Sequence, residues 1–243
     1  MELRPVRKTS ASGAVFEQLI AELVAGGLEP GESLPAERAL TESLSVNRGA
    51  VREALQRLAQ AGLVEINHGE PTRALDYRQS AGLDLLGRLL FDRDGRLDIE
   101  VARSITEMRA AIGPDIARLA ALRCRADMIP VFESIVDAMA NAGGDLERLA
   151  RIDLDFWDVL TDAADNIAYR LAFNSLRQTY EPMAGELTGV MAAELTDLDA
   201  RRAIVAALHA SDASAAESAA RSLLARGSLA ITEALAALEG GER

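Results

Sequence analysis

Residues 34–72 read LPAERALTESLSVNRGAVREALQRLAQAGLVEINHGEPT, and this stretch decides the fold. Pro35 pre-sets φ for a first helical turn, and Glu37 suits the positive end of that helix. Ala39, Leu40 and Leu44 are apolar at helical spacing. Ser45-Val46-Asn47 interrupts the pattern, and Asn47 is a fitting N-cap for a second helix. Val51, Leu55, Leu58 and Ala59 give that helix a buried stripe. Arg48 and Arg52 lie four residues apart, so they share a face away from the stripe. Gly49 and Ala50 are small enough to let a surface approach closely.

Gly62 stops the second helix. Leu63–Ile66 reads as a short strand, Asn67–Pro71 as turn chemistry, and Thr72–Leu75 as a returning strand. The sum is a winged helix-turn-helix whose second helix carries arginines near its start. That arrangement suits a major groove, with His68 and Gly69 on a wing tip that suits a minor groove.

These residues carry a resemblance. The strings LPAERAL, NRGAVREALQRLAQAGLV and INHGEPTRA are similar to the DNA-binding domain of the GntR family of bacterial transcription regulators. The resemblance implies that Arg38, Arg48 and Arg52 contact DNA, with His68 and Gly69 at the wing tip. It places Asn47, Gly49 and Ala50 at neighbouring positions, Asn47 within reach of a base or phosphate.

Around this motif the chain has 243 residues and a formal net charge of −12. Residues 1–75 hold 8 Lys/Arg against 10 Asp/Glu, a net of −2, and residues 76–243 hold 18 against 28, a net of −10. A sequence-blind nucleic-acid coat is excluded at this charge. DNA affinity must come from clustered arginines and from dimerisation, and it must be salt-sensitive. Cys124 is the lone cysteine, so no internal disulfide forms, and its Ala/Leu/Arg-rich setting marks a structural residue. No apolar run reaches membrane-span length and no signal-like N-terminus is present, which leads us to expect a cytoplasmic protein without a membrane partner.

We expect a mainly α fold in four parts: a loose arm at 1–10, the winged helix at 11–75, a linker at 76–82 and an all-α unit at 83–243. Helical spacing predicts helices over roughly 82–92, 98–124, 127–141, 145–163, 166–188, 197–210 and 212–238. Gly113-Pro114 marks a possible kink in the second of these.

The helical part resembles the effector-binding and dimerisation domain of the FadR-type branch of the same family. Many members of that branch hold a metal with one Asp and three His. Here Asp153 matches the aspartate, but Trp157, Arg201 and Leu223 stand near the histidine positions. With only His68 and His209 in the chain, a His-rich metal site is not expected. This departure matches the metal-free, fatty-acid-responsive subgroup, which implies a long-chain acyl-CoA as effector. Met108, Ile112, Phe156, Trp157, Leu160, Leu171, Phe173, Leu176 and Met183 are candidates to line an acyl pocket, and equally to form plain core.

Arg109 lies in an apolar helix and resembles an effector-carboxylate arginine of the branch. An interior arginine needs an anionic partner. An effector, Asp153 or Asp155 would serve. Asn174, Arg177 and Tyr180 complete the effector candidates. A sensor of a small organic carboxylate is the alternative. No Gly-rich phosphate loop, His/Cys pair or nucleophile elbow is present, so we expect no enzyme, no catalytic residues and no cofactor. The expected partners are a palindromic double-stranded operator, a second copy of the chain and a small-molecule or lipid effector.

Overall fold

The Ser10 side chain accepts a hydrogen bond from the Gly13 amide and starts helix α1 (Ala11–Val24). In the computed structural model the described residues are 10–92, 94–180 and 183–241. The expected arm lies outside them apart from Ser10. Helix α1 buries Val15, Phe16, Ile20 and Leu23 and packs on the helix that begins at Arg48. The motif reading began at Leu34 and had not resolved this helix.

Helix α2 (Glu37–Leu44) ends on Ser45, which takes a left-handed φ of 52°. Helix α3 (Arg48–Gln60) follows three residues later and buries Val51, Ala54, Leu55 and Leu58. The expected turn and stripe are therefore both present. Gly62 closes α3 with φ of 73°, and a Cβ there would collide with the Ser80 carbonyl oxygen. Strands β1 (Val64–Glu65) and β2 (Arg73–Ala74) form the wing, antiparallel, with Val64 opposite Ala74. A third segment joins the free edge of β2. Gly31 N donates to Ala74 O, Ala74 N to Glu32 O and Leu34 N to Thr72 O, each at 2.8 Å.

The stretch after the wing corrects two expectations. Residues 76–82, read as a linker, contain the turn-length helix α4 (Tyr77–Ser80), whose Ser80 hydroxyl donates to the Gly62 carbonyl at 2.6 Å. Residues 82–92, read as the first bundle helix, hold a 3-10 turn at Leu83–Leu85 and the short helix α5 (Leu86–Leu89). Tyr77, Ala81, Leu85 and Leu89 pack on the winged-helix core, because that core is where their apolar faces are buried. The first compact unit accordingly runs to Leu97, and the second begins at Asp98 rather than at residue 83.

The second unit is all α. Helix α6 (Ile99–Arg123) is capped by Asp98 and runs through Pro114 without ending. It packs most extensively on α13 (Ala213–Gly241), and Gly113 allows the close approach there, since a Cβ would displace the tip of the Leu224 side chain. Helices α7 (Ile129–Ala140), α8 (Leu146–Ala163) and α12 (Leu198–Ala210) complete the main core of Ile116, Phe132, Phe156, Leu160, Ile204, Leu223 and their neighbours. The helix expected over 166–188 divides into α9 (Ile167–Tyr180) and α10 (Ala184–Val190), and a single turn, α11 (Ala192–Leu195), was not anticipated. No helix among the described residues is long and apolar enough to cross a membrane.

Candidate DNA interface and buried charge cluster

At the start of α3 the Asn47 side-chain oxygen accepts from Ala50 N at 2.9 Å. This cap occupies the carbonyl end of Asn47 and leaves its amide donor for an outside acceptor. Gly49 is exposed, and a Cβ on it would stand 3.2 Å from the Asn47 oxygen, so its smallness serves the cap as well as approach from outside. Ala50 is buried, which corrects its reading as a surface position.

Arg48 and Arg52 converge on one carboxylate. Arg48 Nε lies 2.9 Å from Glu37 Oε2, and Arg52 Nε lies 3.1 Å from Glu37 Oε1. The hydrogen bond from Arg48, aided by Arg52, holds the Glu37 carboxyl below its ordinary range. Both arginines stay open to solvent, with side chains 70% and 62% accessible. Arg38 is 90% accessible and sits 3.8 Å from Glu42. His68 and Gly69 are exposed at the wing tip, where Gly69 has φ of 80° and open space around its Cα. The first turns of α2 and α3 thus present three solvent-open cations, and the wing tip is exposed and polar.

The second site is buried. Arg109 on α6 pairs through Nη2 with Glu194 Oε1 on α11, and the Glu194 side chain is wholly enclosed. The interior partner is therefore Glu194, not Asp153 or Asp155. Asp155 is exposed, and Asp153 is taken by Arg201 of α12, whose Nη2 donates to Asp153 Oδ1. Arg201 is fully buried, and its Nη1 also donates to the carbonyls of Glu194 at 2.7 Å and Asp197 at 3.0 Å. Burial raises the Glu194 carboxyl above its ordinary value, with Asp153 adding to the rise and Arg109 opposing it. Tyr180 lies within the same field, its hydroxyl pushed up to about 12 by burial and by Asp153.

This donor set does not fit a divalent metal. Where the family aspartate would meet imidazoles, Asp153 meets a guanidinium. Leu223 is buried core, and the described residues hold no group of three or more His, Cys, Asp or Glu able to surround an ion.

The remaining effector candidates scatter. Phe156 is fully buried between Phe132 and Trp157, edge-to-face with both, so it is core. Trp157 is buried beside Gly113, with its indole nitrogen unpartnered. Leu171 is exposed, which removes it from any pocket lining. Arg177 lies 3.5 Å from Asp158, which also receives Arg170 at 2.8 Å. Asn174 is half-buried on the same helix. Of the seven effector candidates, the structure brings Arg109, Asp153 and Tyr180 into one cluster. It adds Glu194, which the sequence had not placed at a site, and Arg201, which stood near a histidine position of the metal-binding relatives. Glu194 had left a signal: a carboxylate inside the apolar run MAAEL.

A winged helix joined to an all-α unit is the architecture of a DNA-binding transcription regulator. The chain belongs to the GntR family: residues 11–73 match bacterial regulatory proteins of the gntR family, and residues 104–226 match the FCD domain. It is 43% identical to the HTH-type transcriptional regulator Mce2R of Mycobacterium tuberculosis over 92% of each chain. It is 31% identical to the fatty acid metabolism regulator protein of Edwardsiella ictaluri over 72% of this chain and 71% of that one. Among solved structures, a GntR-family regulator from Pseudomonas syringae pv. tomato aligns with a TM-score of 0.50 at 19% identity, covering 99% of this chain and 92% of that one. Lar of Listeria monocytogenes aligns with a TM-score of 0.54 at 15% identity, covering 94% and 99%. Those two likenesses concern the fold alone.

Proposed function

We propose that the protein binds a palindromic operator as a homodimer and that an effector in the FCD domain sets its operator affinity. The observation that carries the DNA half is the pairing of two solvent-open arginines, Arg48 and Arg52, on one carboxylate at the start of α3. One side of the helix thus carries both guanidiniums, ready to exchange Glu37 for guanine or phosphate. Arg38, Asn47 and Gly49 extend that surface, and His68 and Gly69 on the wing take the neighbouring minor groove. The test is a binding selection from random duplex DNA, followed by titration of the selected site. Arg48→Ala and Arg52→Ala should each weaken it, and unchanged affinity in both would remove the DNA reading of these residues.

The effector we propose is a long-chain fatty acyl-CoA, with target genes in fatty-acid metabolism. Its support is the likeness to fatty acid metabolism regulators. One observation favours a second reading, a small organic carboxylate: a half-buried arginine, Arg109, stands where an anion can be held. Calorimetric titration of delipidated protein with a long-chain acyl-CoA, with free CoA as control, separates the two. Saturable binding of the acyl form alone establishes the lipid sensor. No binding turns the search to carboxylates.

A further inference from the structure

Three buried polar atoms of the charge cluster have no partner: Arg109 Nη1, Glu194 Oε2 and Arg201 Nε. Buried polar atoms are almost always satisfied, and leaving one unsatisfied is costly. The Arg109–Glu194 pair is one-armed. Nη2 meets Oε1, while Nη1 and Oε2 go unused. A carboxylate free to align would engage both guanidinium arms. Glu194 cannot, because its Oε2 is seated against Gly227 of α13, where a Cβ would collide with it.

The two partners also sit on unequal supports. Arg109 belongs to the long α6, and Glu194 to the single turn α11, which has no side-chain cap. The Arg109 side chain is 23% accessible although its unpaired Nη1 is buried, whereas Glu194 is fully enclosed, so the arginine is the more open of the two partners.

We propose that Glu194 is the chain's own occupant of a carboxylate site at Arg109, and that the effector's carboxylate takes the site by displacing it. This rests on the effector reading above and selects its carboxylate member. Charge balance favours an exchange. With both carboxyls ionised, Arg109 and Arg201 face Glu194 and Asp153, two cations against two anions. A third buried carboxylate would then be uncompensated, and the place beside Arg109 holds one carboxylate at a time, so the ligand enters as Glu194 leaves. Its departure has a defined consequence. The Glu194 carbonyl is one of the acceptors holding Arg201, and Arg201 holds Asp153. Movement of α11 therefore acts on the link between α8 and α12, and on α13 through the seat at Gly227.

The experiment uses the full-length protein, with sodium decanoate and sodium lactate as two carboxylate sources and methyl lactate as the uncharged control. Calorimetry should show one carboxylate binding the wild type, binding Glu194→Gln about tenfold more tightly, an ordinary size for coupled sites, and failing on Arg109→Met. In parallel, sodium formate should raise the melting temperature of Glu194→Ala above that in sodium chloride of equal concentration, because formate refills the vacated place. Equal ligand affinity in wild type and Glu194→Gln overturns the exchange, as does a Glu194→Ala protein indifferent to formate. If neither decanoate nor lactate binds, the formate result alone decides. Operator titration keeps the two readings apart. A carboxylate that shifts operator affinity equally in wild type and Glu194→Gln removes the exchange and leaves the effector reading. Formate rescue without any ligand effect on operator binding does the reverse.

Discussion

Glu37 holds both Arg48 and Arg52 with a single carboxylate, and its position sets what each side chain can do. Exposed ion pairs of this kind are worth about 0–1 kcal/mol, so an incoming DNA acceptor would displace the carboxylate at little cost. What Glu37 supplies is aim, and what it costs is one negative charge beside the phosphates. We expect Glu37→Gln to bind random duplex several-fold more tightly while its preference for the selected operator falls. Anisotropy titrations on both DNAs check this, and an increased preference would contradict it. The acid response follows with a definite sign. The folded-state carboxyl lies below its unfolded value of 4.5, so its contribution is present above that pH and is lost as pH falls through the lowered folded value. Glu37→Gln should therefore narrow the gap in stability between pH 6 and pH 3, as read by urea denaturation. The two arginines themselves should separate by role. A guanine-reading arginine cut to alanine loses about 1–3 kcal/mol and relaxes one base position. A phosphate-binding one weakens all sequences alike and lowers the salt slope by about one. Repeating the binding selection with Arg48→Ala and Arg52→Ala assigns each.

The elements that were legible in the sequence are those whose local chemistry agrees with their packing. Asn47 both reads as a cap and acts as one, and the Val51-Leu55-Leu58 stripe is buried as its spacing requires. The long helices α6, α8, α12 and α13 fall within a few residues of their expected ends, because Asp98, Asp145, Asp197 and Asp212 cap them in plain view. Segments 76–97 were misplaced for a different reason. Leu85 and Leu89 have helical spacing, and spacing does not say which core receives them. The long helix expected over 166–188 ignored Pro182, whose missing N–H disfavours such a run. Gly62 shows the opposite case, a residue read only as a helix stop that also makes room for the chain returning at Ser80. Gly62→Ala should cost about 1–3 kcal/mol from its positive φ alone, with the Ser80 collision added. Denaturant titration should show that loss, while Gly69→Ala, with open space at its Cα, should lose only the strain component.

Across the whole molecule, the buried centre was the least legible part, because it is assembled from α6, α8, α11 and α12 and only the fold brings those together. Arg201 and Asp153 lie 48 residues apart, and no spacing rule joins them. Breaking a buried pair by removing one partner costs about 3–5 kcal/mol, since the other charge is left stranded. Asp153→Ala and Arg201→Met should each lose on that order in denaturant titration, and the double variant should lose much less than the two together. Additive losses would show that the two residues act independently. Charge distribution supplies the last expectation. The unit ending at Leu97 carries 12 Lys/Arg against 14 Asp/Glu, and the rest of the chain 14 against 24, so neither half offers a general field for DNA. On the proposed reading the attraction comes chiefly from Arg38, Arg48 and Arg52, which a homodimer would present twice. Each neutralised phosphate contributes about −0.9 to the slope of log K against log salt. If most of the six arginines meet phosphate, the slope lies near −5, and raising salt from about 50 to 200 mM should weaken operator binding by about a thousandfold. Random duplex should lose all measurable affinity over the same range, because the remaining charge of the molecule repels it. A slope shallower than about −2 would mean that these arginines read bases or stay on Glu37, and a persistent grip on random DNA would point to basic residues outside this motif.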